Sequence, residues 1–142
     1  MNNYFEVGVR YCKIMEDGTD RNVTEQYLLD AVSFTEAEAR ITKLLAPYIS
    51  REYQVVTEKI AKVEQIVATH GYGDRFFKLK YNIITLDEKS GRVKRHPKYI
   101  IIEAESVDEA RDRYQDYIKG WMADTELVSV NETKYVDYFP WP

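Results

Sequence analysis

The 142-residue chain holds one cysteine, two histidines, six glycines and four prolines. Cys12 has no second cysteine to pair with, so no internal disulfide can form and a reducing, cytoplasmic compartment is expected. His-Glu-x-x-His and Cys-x-x-Cys are both absent, and with them the usual zinc spacings. No Gly-x-x-x-x-Gly-Lys-Ser/Thr loop and no Gly-x-Ser-x-Gly elbow occurs. Gly71-Tyr72-Gly73 precedes a strand pattern rather than a helix, which is the wrong context for a phosphate loop. His70 and His96 read as exposed residues of a linker and of a basic hairpin, and Cys12 as a plain sheet residue. Glu36, Glu38, Glu109 and Asp112 are explained by helix caps and solvated helix faces. The chain is therefore expected to carry no catalytic residue, no metal and no cofactor, and not to be an enzyme. No apolar run approaches the roughly 20 residues that cross a bilayer. Met1-Asn2-Asn3-Tyr4 lacks the basic-then-apolar pattern of an export signal, so neither membrane nor secretion is expected.

What is present is a folded chain. Hydrophobic residues make up 44 % and aromatics 13 %, too apolar for disorder. The length suits one domain, or two small units sharing a core.

An internal repeat organises the sequence. Ser33-Phe34-Thr35-Glu36-Ala37 recurs as Ser106-Val107-Asp108-Glu109-Ala110, 73 residues later. In both copies a Ser stands three residues before a Glu and opens an apolar-periodic run, the pattern of a capping box. The first run carries Phe34, Ala37, Ile41, Leu44, Leu45 and Tyr48. The second carries Val107, Ala110, Tyr114, Tyr117, Ile118 and Trp121, and both sets have the spacing of one helix face. Period-two alternation predicts a strand over 4–15, with Phe5, Val7, Val9 and Tyr11 on one face, and another over 76–86. Asp/Gly-containing turns follow, then strands near 23–32 and 98–105. After each helix comes a β-rich stretch, 52–68 and 125–139, which Glu58-Lys59 and Asn131-Glu132 are expected to bend or split. Pro47 should end or kink the first helix.

The predicted fold is α+β, an internal duplication of two ββαβ(β) units with pseudo-twofold symmetry. Antiparallel sheets would pack on two helices. Residues 1–68 form repeat one, 75–142 repeat two and 69–74 the linker, within a single domain. Read from residue 52, four strands and then a helix follow one another without interruption.

Charge is segregated. Residues 75–98 hold eight Lys/Arg against Asp87 and Glu88, a net of +6 in a chain whose own net charge is −4. The matching hairpin of the first copy, 16–21, is acidic. On the strand 76–84, Phe77, Leu79, Tyr81 and Ile83 take the core face, and Phe76, Lys78, Lys80 and Asn82 the other. An aromatic beside two lysines on an open sheet face would stack a base and track a phosphate backbone. Arg92, Lys94, His96 and Lys98 alternate along the returning strand and would extend that surface. The same charges also fit a solvated hairpin whose lysines protect a sheet edge, or an acidic protein partner. At the end, Phe139-Pro140-Trp141-Pro142 cannot continue a central strand. It would either fold back on the core or offer an apolar anchor to a partner.

Asn2-Asn3-Tyr4-Phe5-Glu6, Val23-Thr24-Glu25-Gln26-Tyr27-Leu28, Ser33 to Arg40 and Ile84-Thr85-Leu86-Asp87-Glu88-Lys89-Ser90-Gly91 resemble a family of short proteins of unknown function from gut Bacteroidota, their mobile elements and their tailed phages. The resemblance covers nearly the whole chain, implies a small cytoplasmic protein and brings no catalytic residues. A looser, architectural likeness is to the Whirly and Pur-type single-strand DNA-binding folds, of which this chain would be a cyclically shifted version.

The function expected from these residues is non-enzymatic binding of single-stranded DNA or RNA. Phe76 and Tyr4 would stack bases, and Lys78, Lys80, Arg92, Lys94, Arg95 and Lys98 would hold phosphates. The alternative is a protein-interaction or assembly module, a homo-oligomer or an accessory factor, contacting its partner through Tyr138, Phe139 and Trp141.

Overall fold

The computed structural model describes residues 3–49, 52–68 and 75–141. The predicted linker, with His70, lies outside the described residues. The described chain runs β1 (Asn3–Ile14), β2 (Asp20–Ala31), α1 (Phe34–Leu45), β3 (Tyr53–Ile60), β4 (Ile66–Val67), β5 (Arg75–Leu86), β6 (Val93–Ala104), α2 (Val107–Ile118), β7 (Asp124–Glu132) and β8 (Tyr135–Phe139). It is an α+β protein. It divides into two compact units, residues 1–62 with 134–142, and residues 63–133.

In the first unit the sheet order is β3-β1-β2-β8. β1 pairs antiparallel with β2 and β3, and β8 lies parallel to β2. Phe5, Val7 and Val9 of β1 and Tyr27, Leu29 and Ala31 of β2 form one apolar face. α1 lays Ala37, Ile41 and Leu45 onto it. The helix starts where the sequence places its cap: the Glu36 amide donates to Ser33 Oγ at 3.1 Å, and Glu36 Oε1 accepts from the Val32 amide at 3.2 Å. Pro47 lacks the N–H that would bond back to Lys43, and the regular helix gives way to a turn after Leu45.

In the second unit the sheet order is β4-β6-β5-β7, with β5 antiparallel to β6 and β7, and β4 parallel to β6. Phe77, Leu79, Tyr81, Ile100, Ile102 and Ala104 face Ala110 and Tyr114 of α2. The Glu109 amide donates to Ser106 Oγ at 3.1 Å, and Glu109 Oε1 accepts from the Glu105 amide at 3.4 Å. In each unit an arginine of the helix fastens it to the second strand of its hairpin. Arg40 donates to the Asp30 carbonyl, and Arg113 to the Glu103 carbonyl.

Several expectations are corrected. The sheets are mixed rather than antiparallel, because each fourth strand, β4 or β8, enters its sheet beside the second hairpin strand and runs parallel to it. The four successive strands before α2 do not make one sheet, since β3 pairs with β1. Glu58-Lys59 does not split its strand: both residues stay in the β1–β3 ladder, where Lys59 lies opposite Glu6 and ion-pairs with it at 3.1 Å. The breaks fall later, at 61–65 and 133–134. β6 starts five residues before the expected 98, running through His96 and Pro97. Tyr99 and Ile101 direct their main-chain groups toward the 64–65 side, where they bond Glu64 and Gln65. Pro97, in the same phase, turns its missing N–H to an edge that β4 is too short to reach. Tyr48 and Trp121 lie past their helix ends, and Tyr48 is 79 % exposed.

Candidate nucleic-acid interface

The turn between β5 and β6 sets which basic residues share a surface. Leu86 pairs with Val93, and counting back places Ile84 opposite Arg95, Asn82 opposite Pro97, Lys80 opposite Tyr99, Lys78 opposite Ile101 and Phe76 opposite Glu103. Directly opposed residues lie on one face of an antiparallel pair. The face that turns away from α2 therefore carries Lys78, Lys80, Asn82, Arg95, Pro97 and Tyr99. β7 adds Ser129 opposite Lys80 and Glu126 opposite Asn82.

This register divides the expected phosphate contacts. Lys94 lies opposite Thr85 and Lys98 opposite Tyr81, on the helix-facing side. They do not extend the Lys78–Lys80 row, and neither does His96, whose ring nitrogen meets Thr85 Oγ1 at 2.9 Å. Lys98 stands 3.6 Å from Glu64 and Lys94 3.8 Å from Asp87. Arg92 is exposed in the hairpin turn, its amide bonded to Ser90 Oγ.

Exposure along the face is graded. Phe76 and Ile101 are buried, Lys78, Lys80, Asn82 and Tyr99 are half-buried, and Arg95 and Pro97 are exposed. Phe76, at 2 % exposure, presents no ring surface to a base. Tyr4 belongs to the first unit, where it meets Tyr138 edge-on at 6.4 Å.

The aromatic that the register does put among the lysines is Tyr99. Lys78 Nζ lies 5.1 Å and Lys80 Nζ 6.0 Å from its ring centre, within cation–π range. Neither lysine has a carboxylate partner among the described residues. Strand alternation could not find Tyr99, because the pairing of β5 with β6 depends on the length of the 87–92 connection. Beyond it, Glu126 Oε1 accepts from Asn82 Nδ2 and from Arg95 Nε, both at 2.9 Å. The Asn82 bond and then the Arg95 bond hold the Glu126 carboxyl below the ordinary carboxylate range.

The proposed partner contacts at the C-terminal end are engaged inside the first unit. Phe139 stacks on Tyr27 at 5.9 Å, and Tyr138 donates to Asp30 at 2.7 Å. The Trp141 amide donates to Asp30 at 3.1 Å, and its ring lies 5.1 Å under the Arg40 guanidinium. Phe139, Leu44, Pro47 and Tyr48, with Arg40 and Lys43, line a groove of about 620 Å³. Among the described residues, no group of three His, Cys, Asp or Glu could hold a metal ion. No helix among them is long and apolar enough to cross a membrane.

A family model described as a domain of unknown function, DUF4494, matches residues 3–141. No curated protein and no solved structure matches the chain.

Proposed function

The chain belongs to the DUF4494 family, and from that premise we propose that it is a non-enzymatic cytoplasmic protein that binds single-stranded nucleic acid on the outer sheet face of its second unit. The observation that carries this reading is the placement of Lys78 and Lys80 over Tyr99, with no carboxylate partner for either among the described residues. A ring flanked by ammonium groups stacks a base and holds its phosphates in one contact, and such stacking tolerates any sequence. Arg92 and Lys89, exposed at the hairpin turn, supply further positive charge. Binding of this kind weakens steeply with salt, because each neutralised phosphate releases counterions. Fluorescence anisotropy of labelled oligo-dT at low salt tests it. A dissociation constant in the micromolar range or below is expected, and Lys78→Glu with Lys80→Glu should remove binding while leaving the circular dichroism spectrum unchanged. No anisotropy change at tens of micromolar protein overturns the reading.

We further propose that the two units descend from one duplicated sequence. Supporting this, the two sheets share strand order and pairing sense, both hairpins have twelve-residue strands, and the helices start 73 residues apart. The Arg40–Asp30 and Arg113–Glu103 bonds repeat at the same offset.

A second reading, a protein-interaction or assembly module, is favoured by the groove beside Tyr48, whose ring is 79 % exposed over an apolar floor. A salt-insensitive oligomer in solution that Tyr48→Ser dissociates would favour it over nucleic-acid binding.

A further inference from the structure

At the distal end of the basic face of the second unit a carboxylate, that of Glu126, takes an amide donor and a guanidinium donor together. Asn82 Nδ2 and Arg95 Nε converge on the same oxygen, Oε1, at 2.9 Å each. An amide N–H and a guanidinium N–H aimed at one oxyanion are the donor set that a phosphodiester oxygen requires. The site lies one strand pair beyond Lys80 and Tyr99 along the same face, where Arg95 is exposed. The Glu126 side chain is 41 % and that of Arg95 57 % exposed, so the ion pair is solvated and weak enough for an incoming anion to open.

We propose that Asn82 and Arg95 form a phosphodiester subsite that Glu126 occupies in the free protein as an internal stand-in for the ligand's phosphate. The proposal rests on the single-strand-binding reading above and adds to it a second contact and a built-in competitor. A strand whose base stacks on Tyr99 and whose phosphate meets Lys80 would present its next phosphate toward Arg95. That phosphate displaces the carboxylate, which swings to water. The charge of Glu126 thereby lowers affinity while keeping Arg95 extended and ordered when no ligand is bound.

The test is oligo-dT anisotropy at one low salt concentration with four proteins: wild type, Glu126→Gln, Arg95→Gln and the double variant. Glu126→Gln should bind about fivefold tighter, the competing ion pair being worth up to about 1 kcal/mol. Its salt slope should match the wild type's, because the same number of phosphates is neutralised once Glu126 has been displaced. In the Arg95→Gln background the same substitution should change nothing. Glu64→Gln, which removes an equal charge beside Lys98 on the helix-facing side, should also change nothing. Equal or weaker binding by Glu126→Gln, beside a wild type that binds, overturns the subsite and leaves the single-strand reading standing. Equal gains with and without Arg95 also overturn it, since they show a general charge effect. If neither wild type nor Glu126→Gln binds, the single-strand reading falls and the subsite with it.

Discussion

Lys78 Nζ stands 5.1 Å from the centre of the Tyr99 ring, one strand over and two residue pairs along the β5–β6 ladder. Tyr99 is half-buried, so part of its surface stays accessible. Replacing Tyr99 with Ala should cost about 1–3 kcal/mol of oligo-dT affinity, the range for one base–aromatic stack. Tyr99→Phe should retain most of the affinity. Phe76→Ala should instead lower the unfolding midpoint, because that ring is 2 % exposed. A Tyr99→Ala variant with unchanged affinity would remove the stacking role.

The first unit holds a glycine at the position that Lys80 occupies in the second. Gly8 lies opposite Gln26 on β2 and Thr57 on β3, immediately before the β1–β3 register shift. Lys80 lies opposite Tyr99 and Ser129, immediately before the β5–β7 shift. A Cβ on Gly8 would stand 2.3 Å from Thr57 Oγ1 and 2.8 Å from Gln26 Nε2. Gly8→Ala should therefore destabilise the protein by about 1–3 kcal/mol through overpacking, read from urea unfolding. The neighbouring contrast is Glu6 in the first unit against Lys78 in the second. Glu6 is buried and ion-paired with Lys59, so the face of the first unit has no free cation at that place.

Five tyrosines give the fold an alkaline boundary. Tyr27 is pushed up to about 12 by burial and by the charges of Glu25 and Asp137. Tyr11, Tyr81, Tyr114 and Tyr138 are also pushed up, each chiefly by burial; Glu25 adds to Tyr11 and Asp30 to Tyr138 through hydrogen bonds. Raised folded values mean that the protonated phenols stabilise the fold fully below the ordinary tyrosine value and lose that contribution as pH rises through the folded ones. Absorbance at the tyrosinate band should show these five phenols ionising above the ordinary tyrosine value, together with loss of near-ultraviolet dichroism. All twelve tyrosines titrating in one step near 10, with the fold intact, would contradict these environments.

What the sequence discloses and what it hides follow from the length of the signal. The caps at Ser33 and Ser106 were legible because four residues suffice to specify each. The core faces of β1 and β5 were legible because twelve-residue strands carry several periods of alternation. β4 has two residues and β8 five, too few to declare a partner strand or its direction, and the parallel pairings stayed hidden. Lys94, His96 and Lys98 share one phase of β6, as their spacing predicts, while Arg92 falls in the turn before it. Their phase against Lys78 and Lys80 is hidden, because a one-residue change in the connecting turn moves every side chain of one strand to the opposite face. Phe76 marks another boundary: alternation places a residue on a sheet face without showing whether that face is open.

The salt dependence of oligo-dT binding tests the central claim most directly, measured for the wild type and for Lys78→Gln with Lys80→Gln. If the outer face of the second unit holds phosphates through these two lysines, the wild type should bind with a log–log salt slope of magnitude about 1.5 or more. The double variant should bind more weakly, with a slope lower by roughly 1.4. Equal slopes and equal affinities for the two proteins would contradict the account.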